Sequence, residues 1–149
     1  MILGFYGNVV WRCPTSRLVE QYRQHVGHSH LDVGPGTGYF LEHARLPYDA
    51  EITLLDPNPD VLAHAARRVS HWHLSAVQAD VLEPLPLTAK RFDSAALNYV
   101  LHWLPGPAVR KAAALQNVCA ATRACMNTRS AVVWRAQKMH EPPDGGRLR

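Results

Sequence analysis

The chain has 149 residues, 47% of them hydrophobic and 19% charged, which excludes a disordered polymer and suits one domain with a real core. Its net charge of +4 hides an asymmetry. Residues 1–106 hold 8 Lys and Arg against 10 Asp and Glu, a balance of −2, while residues 107–149 hold 8 against 2, a balance of +6. The basic end offers only Trp134 as an aromatic, which argues against a stacking platform for nucleic acid and favours a solvated tail. The longest apolar runs fall far short of a membrane span, and residues 1–11 lack the basic start of a secretory signal, so no membrane partner is expected. Cys13, Cys119 and Cys125 form an odd set with no C-x-x-C pair and no metal-ligand spacing, for which a reducing cytoplasm is the natural reading. His25, His28 and His30 precede the first core strand, and His71 and His73 flank Trp72 in a linker. None gains a carboxylate partner from the pattern, so no metal is expected.

No internal repeat or low-complexity tract is present. Pro14-Thr15-Ser16 opens a helix on which Leu18, Val19, Tyr22 and Val26 recur at helical spacing, with Gly27 as its stop. Residues 30–33 form a first buried strand, and a helix begins in residues 38–43 and ends before Pro47. Residues 51–55 form the second strand, closing on Asp56-Pro57-Asn58-Pro59. Asn58 or Asp60 caps the next helix, whose Val61, Leu62, Ala65, Ala66 and Val69 line one face. Residues 73–78 make the third strand, ending at Ala79-Asp80, and residues 92–97 the fourth, leading into Asn98 and Tyr99. After the break at Leu104-Pro105-Gly106-Pro107, a helix runs from Ala108 to about Cys119. Alternating strands and helices predict an α/β fold, a Rossmann-like, doubly wound and mostly parallel sheet of four to five strands, with ligands at the carboxyl ends.

Residues 31–40, L-D-V-G-P-G-T-G-Y-F, carry the strongest functional signal. A strand holding Asp32 turns through Gly34, Gly36 and Gly38 into the start of a helix, whose free N–H groups and positive dipole end favour a polar ligand. A dinucleotide fingerprint needs Gly or Ala where this chain has Tyr39, so a nicotinamide-dependent oxidoreductase is the weaker reading. The later strands end on Asp56, Asp80 and Asn98. Asp32, Asp56 and Asp80 are each 24 residues apart, one βα unit, which brings three carboxylates to one rim. A carboxylate after the second strand suits two ribose hydroxyls, and one after the third suits the adenine amine.

The pattern D-x-G-x-G-x-G resembles motif I of the class I S-adenosylmethionine-dependent methyltransferases, in which the acidic residue lies near the methionine part of the cofactor. L-L-D-P-N-P-D resembles the second motif, with Asp56 in the ribose position. Q-A-D-V-L resembles the third, with Asp80 and the amide of Val81 facing adenine. F-D-S-A-A-L-N-Y-V-L-H-W-L resembles the fourth, with Asn98 and Tyr99 at the reactive end. W-R-C-P-T-S-R is similar to the amino-terminal helix entry of small bacterial members, so the likeness covers residues 11–116. It implies S-adenosyl-L-methionine as cofactor, bound by Asp32, Gly34, Pro35, Gly36, Thr37, Gly38, Asp56, Pro57, Asn58, Asp80, Val81, Asn98 and Tyr99.

Methyl transfer from a sulfonium is an in-line displacement, which an enzyme serves mainly by alignment. A base helps when the nucleophile arrives protonated, and His102 is the candidate; Tyr6, Trp11 and Cys13 are candidates for the substrate side. With no evident recognition domain, the acceptor is expected to be a small molecule. The domain is expected to span residues 1–118. Residues 119–149 form an irregular basic tail without the family's carboxyl-terminal antiparallel hairpin, apart from a fifth strand at residues 130–134. The sequence therefore reads as a truncated methyltransferase whose tail a shifted reading frame would produce, with an open sheet edge that invites self-association. Its alternative is a non-catalytic cofactor-binding remnant.

Overall fold

A computed structural model describes residues 15–87 and 92–122. Helix α1 (Thr15–His25) leads to β1 (Ser29–Val33), α2 (Tyr39–Ala44), β2 (Glu51–Asp56), α3 (Pro59–Arg68), β3 (His73–Gln78), β4 (Ser94–Ala96) and α4 (Ala108–Ala121). The strands form one parallel sheet in the order β3-β2-β1-β4. The order reverses beside β1, and Asp32 sits at that reversal between Leu54 of β2 and Ala96 of β4. In open α/β sheets a crevice forms at such a point, beyond the carboxyl ends of the strands.

Alternation along the strands fills both faces. Leu31, Val33 and Leu55 pack with Phe92, Ala114 and Val118 on the α4 side. Ile52 and Leu54 pack with Tyr22, Leu41, Leu62 and Ala65 on the side of α1, α2 and α3. Each fully buried large aliphatic chain contributes about 1.5–3 kcal/mol, so this two-faced core fixes the rim on which the site stands. Asn58 caps α3, its side chain accepting from the Asp60 amide at 2.9 Å, with Pro59 in the first turn and Arg67 and Arg68 at the far end of the dipole.

The elements follow the predicted order, with two differences. Strand β4 keeps only Ser94–Ala96, because Phe92 is paired elsewhere, in a parallel bridge with Thr122, and Asn98 turns towards the crevice. Helix α4 continues beyond the expected end to Ala121, where the Phe92 amide donates to the Ala121 carbonyl at 2.9 Å and Thr122 Oγ1 closes on the Cys119 carbonyl. The helix packs Val118 and Ala121 into the core. His30 lies within β1, as the strand expected over residues 30–33 has it, buried, with its Nδ1 2.8 Å from Ser94 Oγ. Cys119 is disulfide-bonded. Residues 130–134, the basic tail beyond residue 122, and Tyr6, Trp11 and Cys13 lie outside the described residues. Among the described residues no helix is long and apolar enough to cross a membrane, and no group of three or more His, Cys, Asp or Glu is placed to hold a metal ion.

Candidate functional site

The carboxyl ends of the strands open into a cavity of about 1320 Å³. The glycine loop forms its floor. The Gly34 amide donates to the Leu55 carbonyl at 2.8 Å, fastening the loop to β2, and the Gly38 amide closes a turn on Pro35 at 2.9 Å. All three glycines adopt positive φ, and Gly36 is the informative one. A Cβ placed on it would meet no atom beyond its own chain neighbours within 4 Å, and Gly36 lines the cavity. Gly38 differs: its Cβ would come within 3.3 Å of the Ala65 carbonyl oxygen, so there the missing side chain lets α2 approach the backbone of α3.

Asp56 and Asp80 are held by the same local device. One carboxylate oxygen of Asp56 accepts from the Asn58 amide at 2.8 Å, and one of Asp80 from the Leu82 amide at 2.9 Å. The second oxygen of each accepts nothing among the described residues, so each carboxylate is oriented by its own loop and keeps an open acceptor. The Asp80 loop is tied down in turn by Asn117 of α4, whose amide donates to the carbonyls of Val81 and Glu83, both at 2.9 Å.

Asp32 is the most enclosed of the acids. Its Oδ2 accepts from the Tyr22 hydroxyl at 3.0 Å, and Asn98 Nδ2 donates to that hydroxyl at 2.9 Å. Burial raises the Asp32 carboxyl to about 7, opposed in part by the hydrogen bond from Tyr22. Tyr99, next to Asn98, has φ 60, a left-handed conformation that costs a bulky residue about 1–3 kcal/mol and often marks a functional turn.

Of the residues predicted for the site, Asp32, Gly34, Pro35, Gly36, Thr37, Asp56, Pro57, Asp80, Val81, Asn98 and Tyr99 line the cavity. Gly38, Asn58 and His102 do not. Gly38 is spent on helix packing and Asn58 on capping α3. His102 is exposed, its ring edge-on to Tyr99 at 6.2 Å, and burial and then Lys111 lower its pKa, so it is neutral near pH 7. The cavity also takes residues that the sequence reading did not single out for the site, chiefly Tyr22 and Arg68. Arg68 reaches across from α3 to Glu42 at 3.1 Å and to the Thr37 carbonyl at 3.2 Å, clasping the glycine loop. No local signal marks either residue. A tyrosine at helical spacing reads as core, and an arginine in a last turn reads as a surface charge.

The methyltransferase-domain family matches residues 31–123, most of the chain. The chain belongs to that family. The methyltransferase match runs from β1 through α4 and so includes the glycine loop and all four strand ends. Among curated relatives, demethylluteothin O-methyltransferase of Streptomyces thioluteus is 40% identical over 116 residues, 77% of this chain and 50% of the relative. A physcion biosynthesis cluster O-methyltransferase of Aspergillus chevalieri is 36% identical over 119 residues, 78% of this chain and 54% of the relative. The chain spans about half the length of the curated relatives it matches. Among solved structures, the N-methyltransferase NodS of Bradyrhizobium japonicum, in complex with S-adenosyl-L-homocysteine, shares the fold with a TM-score of 0.61 at 24% identity, over 72% of this chain and 55% of that one. The amino pentose methyltransferase CalS10 of Micromonospora echinaspora, with S-adenosylmethionine bound, gives 0.52 at 25% identity, over 80% and 46%.

Proposed function

We propose that the protein is an S-adenosyl-L-methionine-dependent methyltransferase acting on a small molecule. The observation that carries this reading is the cavity rim, where Gly36 leaves room for a ligand and Asp32, Asp56 and Asp80 stand at three successive strand ends. The donor set suits the cofactor. An open carboxylate oxygen at Asp56 accepts from ribose hydroxyls, and Asp80 with the Val81 amide complements the adenine edge. Asn98 and Tyr99, on the segment after β4, face the same cavity and are assigned to the reactive end.

When bound, the cofactor supplies an electrophilic methyl group on a sulfonium. The protein's part is then to align the acceptor and exclude water, and its apolar wall of Val100, Trp103, Leu104 and Pro105 suits an uncharged organic acceptor. His102 is neutral near pH 7, as a base must be, but the cavity wall does not include it, so the proposal gives it no proton to remove. A cytoplasmic location belongs to the proposal through the supply of the methyl donor, not through the cysteines. Self-association through a sheet edge is a separate expectation, read directly by sedimentation.

Calorimetric titration with S-adenosyl-L-homocysteine, followed by a methyl-transfer screen with labelled donor, tests the reading. Asp56→Ala is expected to weaken binding by about 1–3 kcal/mol, the scale of lost charge-assisted hydrogen bonds. Unchanged affinity in a folded Asp56→Ala protein refutes the ribose assignment. Tight binding without transfer to any acceptor refutes the catalytic part and leaves a cofactor-binding remnant.

A further inference from the structure

We propose that Tyr22 is a positioning residue of this site, its hydroxyl setting both the orientation and the charge state of the Asp32 carboxylate that meets the cofactor's amino-acid end. The inference rests on the S-adenosylmethionine reading above.

Three elements converge on one hydroxyl. Tyr22 comes from α1, Asp32 from β1 and Asn98 from the segment after β4, so the contact spans the point where strand order reverses. The hydroxyl is fully used, donating to Asp32 Oδ2 at 3.0 Å and accepting from Asn98 Nδ2 at 2.9 Å. Asp32 Oδ1 accepts nothing among the described residues, and the side chain lines the cavity. The tyrosine ring is held on both sides. Phe40, in the helix opened by the glycine loop, stacks on it at 5.7 Å and 28°, and His30 meets it edge-on at 5.8 Å. A residue present only to fill this space would not need its oxygen. Here the oxygen is what fixes which face of the carboxylate is presented to the cavity.

The surroundings leave Asp32 without a charged neighbour. From α1 it faces Tyr22, which burial and then Asp32 push well above 10, keeping the phenol a donor. On its own strand stands His30, which burial lowers to about 3 and so keeps neutral. Phe40 of α2, Leu54 of β2 and Ala96 of β4 are apolar, and Asn98 is uncharged. Asp32 therefore titrates near neutral pH with Tyr22 as the one donor favouring its ionised form. A cationic amino group arriving at Oδ1 completes the ionisation, and the proton leaves to solvent.

Calorimetry with S-adenosyl-L-homocysteine across the range from about pH 6 to about pH 8 reads this directly. Wild-type affinity is expected to fall as pH drops below about 7, where Asp32 takes up its proton. Tyr22→Phe is expected to bind about tenfold more weakly near neutral pH, with the midpoint of the profile moved upward because the donor that favours the carboxylate is gone. Asn98→Ala, which keeps the ring and frees the hydroxyl, is expected to move the midpoint the same way by less. It also decides the matter if Tyr22→Phe does not fold, as judged by circular dichroism. An equal loss of affinity at every pH with an unmoved midpoint overturns the proposal and leaves Tyr22 a packing residue. Wild-type protein that binds S-adenosyl-L-homocysteine at no pH overturns the donor-site reading itself, and this inference with it.

Discussion

Gly36→Val is expected to abolish binding of S-adenosyl-L-homocysteine in a protein that still folds. The backbone at Gly36 has φ 56, and a left-handed conformation costs a residue with a side chain about 1–2 kcal/mol. That strain is small against the roughly 5–15 kcal/mol that holds a domain together. No neighbour adds to it, since a Cβ at this position would meet nothing within 4 Å. The added methyl groups therefore project into the cavity and occupy the volume the ligand needs. Gly38→Ala is the informative contrast. Its Cβ would press on the Ala65 carbonyl oxygen at 3.3 Å, so it is expected to lower the melting temperature first. Thermal unfolding and calorimetry on both variants separate the two roles. Normal ligand affinity in a folded Gly36→Val protein would show that this turn does not approach the ligand.

The physics that made much of the fold legible is local. Strand 51–55 is a short apolar run closed by Asp56-Pro57-Asn58 and strand 73–78 closes on Ala79-Asp80, and these stops are the turn chemistry observed at Asp56 and Asp80. The 24-residue spacing of the three acids is likewise one βα unit in the structure, so their arrival on one rim followed from strand alternation alone. What could not be read depends on partners distant in sequence. Strand β4 is shortened because Phe92 pairs with Thr122, thirty positions on. The partner of the buried His30 Nδ1 is Ser94, 64 positions away. Tyr22 looked like one more apolar position of an amphipathic helix. Its use is decided by Asn98, 76 positions later.

The chain spans about half the length of its curated relatives, and among the described residues the loops after β1, β2, β3 and β4 all line the cavity. The cavity rim is formed by the loops after β1 to β4, and among the described residues the first is anchored by Leu55, the second by Asn58 and the third by Leu82 and Asn117. This is why cofactor binding is the activity to measure first on this chain. The apolar wall proposed above for the acceptor includes Trp103, which is 81% exposed.

The same enclosure that equips Asp32 for its site sets an energetic cost, and Asp32→Asn is expected to reveal it. Burial raises the Asp32 carboxyl from 3.8 in the unfolded chain to about 7. Between those values the folded state holds more protons than the unfolded one, so this residue's contribution to stability is complete below about pH 4 and is lost as pH rises through about 7. His30 acts in the opposite sense. Burial lowers it from 6.5 to about 3, so its contribution is complete above about pH 6.5 and is lost as pH falls towards 3. In wild-type protein the two slopes offset each other between about pH 4 and 6.5, and stability there is expected to vary little. Asp32→Asn removes one of them. Its stability, followed by urea unfolding without ligand, is expected to rise steadily from about pH 4 to 6.5. At pH 8 the variant is expected to exceed wild type by up to about 4 kcal/mol, the scale of a three-unit displacement. Cofactor affinity moves the other way, because an amide cannot ionise to meet an amino group. A variant no more stable than wild type at pH 8 would show that the ionised carboxylate is well solvated in the cavity, and would remove the physical basis for its titration near neutrality.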